Sequence, residues 1–146
     1  MEKILIVSHG NLAQELCKAC EMITGQQDLL DAVCLNDCGL EEFEVGIQSY
    51  LEVNQKQTLY ILCDLLHGTP YNQVLIKMLD YTAVDYHMIT GVNLPVLLTL
   101  YMSLLNRNDD DAHTVCKKAI EAGQTGITLR EQKGHTYEKS IDCRCR

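Results

Sequence analysis

Short, continuous apolar runs alternate along this chain with longer segments in which apolar residues recur at helical spacing. Each of the first four runs is followed within two residues by Gly, Asn or Asp. Such runs are typical of strands that are buried on both faces of a sheet. The predicted strands cover residues 4–8, 31–35, 59–63 and 86–90, and residues 126–129 are predicted to form a short last strand.

Helical periodicity follows each of the first four runs, and Asp109, Asp110 and Asp111 are predicted to begin a fifth helix. Thr69 is predicted as the N-cap of the third helix and Pro70 as its first residue. The alternation predicts an α/β fold, a single doubly wound domain with a mainly parallel sheet and helices on both faces. We expect the strand order 2-1-3-4, a domain over residues 1–129, and a polar tail over residues 130–146.

Composition limits the function classes that the chain can serve. The 146 residues carry a formal charge of −8 without any basic block, which argues against nucleic acid or an anionic membrane as a partner. The apolar runs are too short to span a bilayer. The N-terminus enters the first strand directly and does not resemble a signal peptide, so we predict a cytoplasmic protein.

Eight cysteines raise the question of a metal site. Cys17 and Cys20, and also Cys34 and Cys38, have spacings found in zinc pairs. However, the first pair lies in an amphipathic helix and Cys34 lies in an apolar strand, where free cysteine behaves as a small hydrophobic residue. We therefore predict no metal site and no cofactor. Cys143 and Cys145 are predicted to be exposed thiols in the tail.

Polar residues follow the first and third predicted strands, which are neighbours in the expected order. His9 would then meet Asp64 at the point where the strand order reverses, the usual ligand site of such sheets. A carboxylate that accepts the Nδ1 proton leaves Nε2 of the imidazole free as a nucleophile. Gly10 allows close approach of a ligand, and Thr69 opens a helix whose N-terminus favours an anion. The alternative is that both side chains are ordinary polar caps at strand ends.

Other phosphate chemistries lack their motifs here. The chain contains no G-x-x-x-x-G-K-[ST], no G-x-G-x-x-G after the first strand and no G-x-S-x-G. A response-regulator receiver would need an acidic pair where this chain has His9 and Gly10. Asp64 is therefore interpreted as the residue that orients His9 and not as a phosphate acceptor.

Five segments in order resemble the IIA component of the mannose-type (mannose/fructose/sorbose) sugar phosphotransferase system over roughly residues 1–129. They are Ile6-Val7-Ser8-His9-Gly10, Glu21-Met22-Ile23-Thr24-Gly25, Asp64-Leu65-Leu66-His67-Gly68-Thr69-Pro70-Tyr71-Asn72, Gly91-Val92-Asn93-Leu94-Pro95 and Glu121-Ala122-Gly123-Gln124-Thr125-Gly126-Ile127.

The resemblance implies a phosphotransferase that HPr phosphorylates on His9, with Asp64 as hydrogen-bond partner and phosphate contacts at Gly68 and Thr69. The phosphoryl group would come from phosphoenolpyruvate and pass to a histidine of a IIB component. The membrane IIC/IID complex would be involved only indirectly. The family also implies a homodimer in which a C-terminal strand, here residues 126–129, is exchanged between subunits.

The exposed loop after the third strand is a candidate contact for these partners. Leu65 and Leu66 are predicted to form an apolar docking rim, and His67 and Asn93 are further candidate contacts. The family often has Gly where this chain has His67, which leaves the geometry of that turn open. Two other functions share this pattern: the phosphotransfer subunit of a dihydroxyacetone kinase, and a non-enzymatic regulatory module that is controlled by phosphorylation of His9.

Overall fold

The structure is a computed structural model that describes residues 1–26, 28–106 and 109–134. Four strands alternate with helices, and a fifth helix follows the last pair. The elements are β1 (Glu2–His9), α1 (Leu12–Thr24), β2 (Leu30–Leu35), α2 (Leu40–Asn54), β3 (Thr58–Cys63), α3 (Thr69–Met78), β4 (Tyr86–Thr90), α4 (Leu94–Asn106) and α5 (Ala112–Thr125).

The four strands form one sheet in the order β2-β1-β3-β4, and every neighbouring pair is parallel. This confirms the predicted fold class and strand order. The central strand β1 pairs with β2 on one side and with β3 on the other, so that Val7 lies opposite both Val33 and Cys63. The ends of β1 and β3 therefore reach the same edge of the sheet.

Side-chain alternation along the strands builds two apolar layers. Ile4 and Ile6 point into a core formed with α1, α4 and α5, whereas Leu5 and Val7 point into a second core formed with α2 and α3. All four of these side chains have no solvent exposure. Burial on both faces explains why the two central strands, β1 and β3, contain continuous apolar runs and do not alternate with polar residues. Cys17 and Cys20 are buried in the first core, as small hydrophobic residues would be.

Two local predictions are wrong. Gly68, and not Thr69, is the N-cap of α3, so Thr69 is already the first helical residue. Residues 126–129 form no strand within the chain: Gly126 ends α5, and residues 127–130 have no regular structure. A strand requires a neighbouring strand for its hydrogen bonds, and none is supplied to this segment within the described residues. Exchange of the segment between subunits stays a prediction.

The other expected boundaries agree with the structure within a few residues. Asp111 is the N-cap of α5, and its carboxylate accepts a hydrogen bond from the Thr114 amide at 2.8 Å. Hydrogen bonding from the Thr114 side chain, and then from its amide, lowers the pKa of Asp111. No helix in the described ranges is both long and apolar enough to cross a membrane. The division at residue 129 stays a prediction, and Cys143 and Cys145 lie outside the described residues.

Candidate functional site

His9 is the last residue of β1 and opens a tight turn into α1. Gly10 takes a left-handed conformation with φ of 56°, and its amide donates to the Leu35 carbonyl at 2.7 Å. The hydroxyl of the buried Ser8 accepts from the Ala13 amide at 2.7 Å. This bond satisfies one of the free amides at the start of α1, so the helix begins almost directly after His9. His9 is thereby held at the rim of the sheet.

Asp64 directly follows β3 and holds His9 in two places. Its Oδ2 atom lies 2.9 Å from the His9 backbone nitrogen and 2.9 Å from Nδ1 of the ring. A carboxylate only accepts hydrogen bonds, so the proton of a neutral imidazole lies on Nδ1 and Nε2 carries the free electron pair. The His9 side chain is 46% exposed and that of Asp64 only 13%. The strand order thus brings the two predicted residues together with the ring accessible.

Gly68 lies against the imidazole from the other side. A Cβ atom at this position would be 2.8 Å from His9 Cε1 and 3.3 Å from the Leu65 carbonyl oxygen. The position therefore requires the absence of a side chain, although its φ of −69° and ψ of 166° suit any residue. Asp64 and Gly68 together restrict the direction in which the ring points.

Two of the predicted phosphate contacts, Gly10 and Gly68, have amides that already donate within the chain, and phosphate binding there stays a prediction. The amide of Gly10 donates to Leu35, and the amide of Gly68 donates to the Leu65 carbonyl at 3.2 Å, so both groups are already engaged. These glycines shape the site through conformation and close approach. Thr69 is better placed for an anion, because it is exposed and the amide of a first helical residue has no acceptor within its helix.

Exposed leucines stand close in the chain to His9 and to Asp64. Leu65 is 58% exposed and Leu66 is 51% exposed, in agreement with the predicted exposure of both side chains. Leu12, at the first position of α1, is also 46% exposed and was not singled out from the sequence. Its place directly after the His9 turn is the signal that could have identified it. We define these three leucines as the docking rim.

Comparison with known proteins shows independently which family the chain belongs to. A family model described as the fructose IIA component of the PTS system matches residues 3–117. The chain belongs to this EIIA family. A sorbose-specific EIIA component of Lacticaseibacillus casei is 30% identical over 141 residues, which cover 96% of this chain and 99% of that protein.

Two further comparisons concern architecture and length. The mannose-specific EIIAB component of Escherichia coli K12 is 27% identical over 135 residues, or 89% of this EIIA chain, which spans only 40% of the length of that relative. A crystal structure of an EIIA component from Streptococcus agalactiae covers 88% of this chain and 97% of its own, with a TM-score of 0.74 at 24% identity. The latter likeness establishes the shared fold.

His67 occupies the place where the EIIA pattern often has Gly, and the backbone explains why. Among the non-glycine residues that the structure describes, His67 alone has a positive φ, of 61°. L-residues adopt this region at a cost of about 1–2 kcal/mol, although histidine tolerates it better than most. The exposed imidazole packs edge-on against the Tyr71 ring, with centroids 5.6 Å apart. The turn therefore keeps a glycine-like conformation, and the open question of its geometry is answered.

Replacing His67 by Gly is expected to raise the free energy of unfolding by up to about 1 kcal/mol, because glycine adopts positive φ without strain. Loss of the contact with Tyr71 and the greater entropy of the unfolded glycine chain limit the gain. Urea unfolding of the two proteins measures the difference. A matched His113→Gly change, in helix α5, should destabilise the protein instead. A loss of stability in His67→Gly would contradict the argument from strain.

Asn93 is engaged within the chain. Its Oδ1 atom accepts from the Val96 amide at 3.0 Å at the start of α4, and its Nδ2 atom donates to the Gly123 carbonyl at 3.1 Å. These bonds join α4 to α5 and account for an asparagine here. The predicted partner contact through Asn93 therefore has no support from the geometry.

The exposed imidazole of His9 is the nucleophile that a carboxylate orients in this site. Burial, together with the charge of Asp64, raises the pKa of the Cys63 thiol to about 12, so this neighbour stays neutral and unreactive near pH 7. No group of three or more His, Cys, Asp or Glu side chains in the described ranges is arranged to hold a metal ion. The arrangement suits chemistry on the imidazole itself.

Proposed function

We propose that this EIIA component is a phosphohistidine carrier, which accepts a phosphoryl group from HPr on Nε2 of His9 and passes it to a histidine of a IIB component. The observation that carries the proposal is the 2.9 Å contact of Asp64 with Nδ1 of an exposed ring. It leaves the nucleophilic nitrogen free and accessible to a partner protein. Sugar would be phosphorylated during its uptake through the membrane IIC/IID complex, which this chain would serve only through IIB.

Phosphoryl transfer from HPr to His9 requires no proton transfer. The electron pair of Nε2 attacks the phosphorus atom of the phosphohistidine on HPr, so that a new N–P bond forms. The N–P bond of the donor breaks, and its ring leaves with the bonding electrons. The ring of His9 then carries a phosphoryl group on Nε2 and a proton on Nδ1, and the resulting positive charge is stabilised by the adjacent carboxylate of Asp64.

A carrier must hold its phosphoryl group without trapping it. Residues 8–12 and 64–71 contain no Lys or Arg, so no fixed cation would bind the group tightly. The hydroxyl and amide of Thr69 at the start of α3 are the proposed donors to the phosphoryl oxygens. Neutral donors stabilise the transferring group while leaving the N–P bond labile, which is what two successive transfers require.

The docking rim would receive both partner proteins. Exposed leucines on a loop and at a helix start are better explained by a protein partner than by water. Ile127 and Leu129 are also exposed, and they support the second proposed association, a homodimer in which residues 126–129 of each subunit add to the sheet of the other. Among the residues that the structure describes, β4 has no strand on its outer side, and an added strand would satisfy the backbone groups of that edge.

The decisive experiment supplies phosphoenolpyruvate, enzyme I and HPr to the purified chain and maps the phosphate by mass spectrometry. Acid-labile phosphate on His9 is expected, followed by its loss on addition of IIB. Acid-stable phosphate, phosphate elsewhere or none at all would overturn the proposal. Transfer to a dihydroxyacetone kinase but not to IIB would favour that alternative, and a loaded protein that discharges to neither would favour a regulatory module.

Gly68→Ala is expected to slow phosphorylation of His9 by about tenfold, since a Cβ would force the ring from its position and a misplacement near 1 Å can cost up to 10²-fold. The backbone of Gly68 suits alanine, so the effect comes from crowding by the Cβ atom, most closely against the ring and less closely against the Leu65 carbonyl, and not from backbone strain. Initial rates with phosphorylated HPr measure it. Gly134→Ala, where a Cβ meets nothing, is the control. Equal rates for both variants would show that the ring can relax without loss.

A further inference from the structure

Asn11 is placed as a helix cap but does not act as one. It stands at the N-cap position of α1, where asparagine is among the most favourable residues, yet its side chain makes no capping bond. Ser8 supplies a bond to the start of the helix instead, through the Ala13 amide. The side chain of Asn11 is directed away from the helix, to the loop that follows β2.

The partner of Asn11 in that loop is Asn36. Nδ2 of Asn36 donates to Oδ1 of Asn11 at 2.8 Å. The Cys38 amide donates to Oδ1 of Asn36 at 3.0 Å, which fixes the orientation of the Asn36 amide and so makes Nδ2 its donor. Two residues in separate loops are therefore joined by one directed bond.

This bond restrains the side of the His9 turn that Asp64 does not reach. Asp64 holds the ring and amide of His9 from the β3 side. On the β2 side, the turn is held by the Gly10 amide at Leu35 and by the bond between the two asparagines. Because Gly10 is conformationally permissive, the turn needs a restraint on each side to fix the position and orientation of the His9 imidazole relative to the sheet.

We propose that Asn11 and Asn36 are positioning residues for phosphoryl transfer, which act on His9 through the backbone of its turn. The inference rests on the proposed function of His9. The bond is exposed to solvent, and such a bond contributes little to the free energy of folding. Its effect falls instead on the geometry of attack, where small displacements reduce rates strongly.

An alanine cycle tests the proposal: Asn11→Ala, Asn36→Ala and the double variant, with Gln14→Ala as an exposed carboxamide control on the same helix. Phosphorylated HPr is the probe, and kcat and KM are measured separately. Each single variant is expected to lower kcat about fivefold with KM unchanged, since a positioning defect acts within the bound complex. The double variant should lose no more than the singles, because all three remove one bond. Gln14→Ala should match the unaltered protein.

Several outcomes would overturn the positioning role. An unchanged kcat in Asn11→Ala would exclude it, and a raised KM with unchanged kcat would make these residues partner contacts. Losses that add in the double variant would show two independent effects. Melting curves for every variant identify any loss that comes from unfolding. If the unaltered chain takes no phosphate on His9, the proposed function itself fails, which is a separate result from equal rates across the cycle.

Discussion

Replacing His9 by Ala is expected to abolish the incorporation of acid-labile phosphate from phosphoenolpyruvate, enzyme I and HPr, with a loss of at least about 10³-fold. The ring supplies the attacking electron pair, and it is the imidazole that the Asp64 carboxylate orients. Cys63, the nearest alternative, is buried and its pKa is raised to about 12. Radiolabelled phosphoenolpyruvate or intact-mass measurement provides the readout.

The fold should tolerate the loss of the His9 ring. The side chain is exposed, and the backbone amide of residue 9 can still donate to Asp64. His113→Ala on α5, also exposed, is the matched control and should incorporate phosphate at the original rate. Retention of acid-labile phosphate in the His9 variant would place the carrier residue elsewhere and remove the basis of the proposed mechanism.

Asp64→Asn is expected to slow transfer by about 10²-fold while leaving the protein folded. The amide is nearly isosteric with the carboxylate, so an oxygen can still face the His9 amide and ring. What disappears is the negative charge that stabilises the positively charged ring when Nε2 bears the phosphoryl group. The phosphorylated state should therefore form more slowly and lie lower in population at equilibrium.

Stability gives the second measurement for Asp64→Asn. Oδ1 of Asp64 is buried and has no hydrogen-bond partner among the described residues. An amino group in its place removes a buried partial charge but is itself left without an acceptor, so the two effects oppose each other. The free energy of unfolding should change by less than about 1 kcal/mol. Asp37→Asn removes an exposed carboxylate from the loop after β2 and controls for net charge. Equal transfer rates in the two variants would reject the orienting role of Asp64.

The fold was largely predictable because its signals are local and strong. Continuous apolar runs predicted β1 and β3, and sheets of this kind place consecutive strand ends at one edge. The meeting of His9 with Asp64 followed from strand order alone, since the two strands are neighbours. The family resemblance supplied the biochemical meaning of that pair, which no spacing rule contains.

The finer parts of the site depend on information that a single sequence does not display. The close approach of Gly68 to the ring depends on tertiary geometry. The positive φ of His67 is not evident from the sequence, because histidine stands where the EIIA pattern often has glycine. Leu12 has the spacing of a core residue but faces solvent at the first turn of its helix. The pairing of Asn11 with Asn36 joins loops that are 25 residues apart.

The segment after α5 shows a different limit of prediction from sequence. Residues 126–129 have the composition of a strand, yet no strand within the described ranges pairs with them. Whether an extended apolar segment becomes a strand depends on which edge is free beside it, and that edge can belong to another molecule. The sequence pattern indicates that the segment tends to form a strand, but it does not identify the strand with which the segment pairs.

The single exposed ring of His9, framed by one apolar rim, has a kinetic consequence. Under the proposed function, the donor and the acceptor need the same nitrogen and the same leucines and so exclude each other, and no ternary assembly of donor, carrier and acceptor would form. Turnover would follow a ping-pong scheme, and an excess of unloaded donor should inhibit discharge competitively. The rate of phosphoryl transfer from donor to acceptor is then governed by how quickly each of the two proteins dissociates from the carrier.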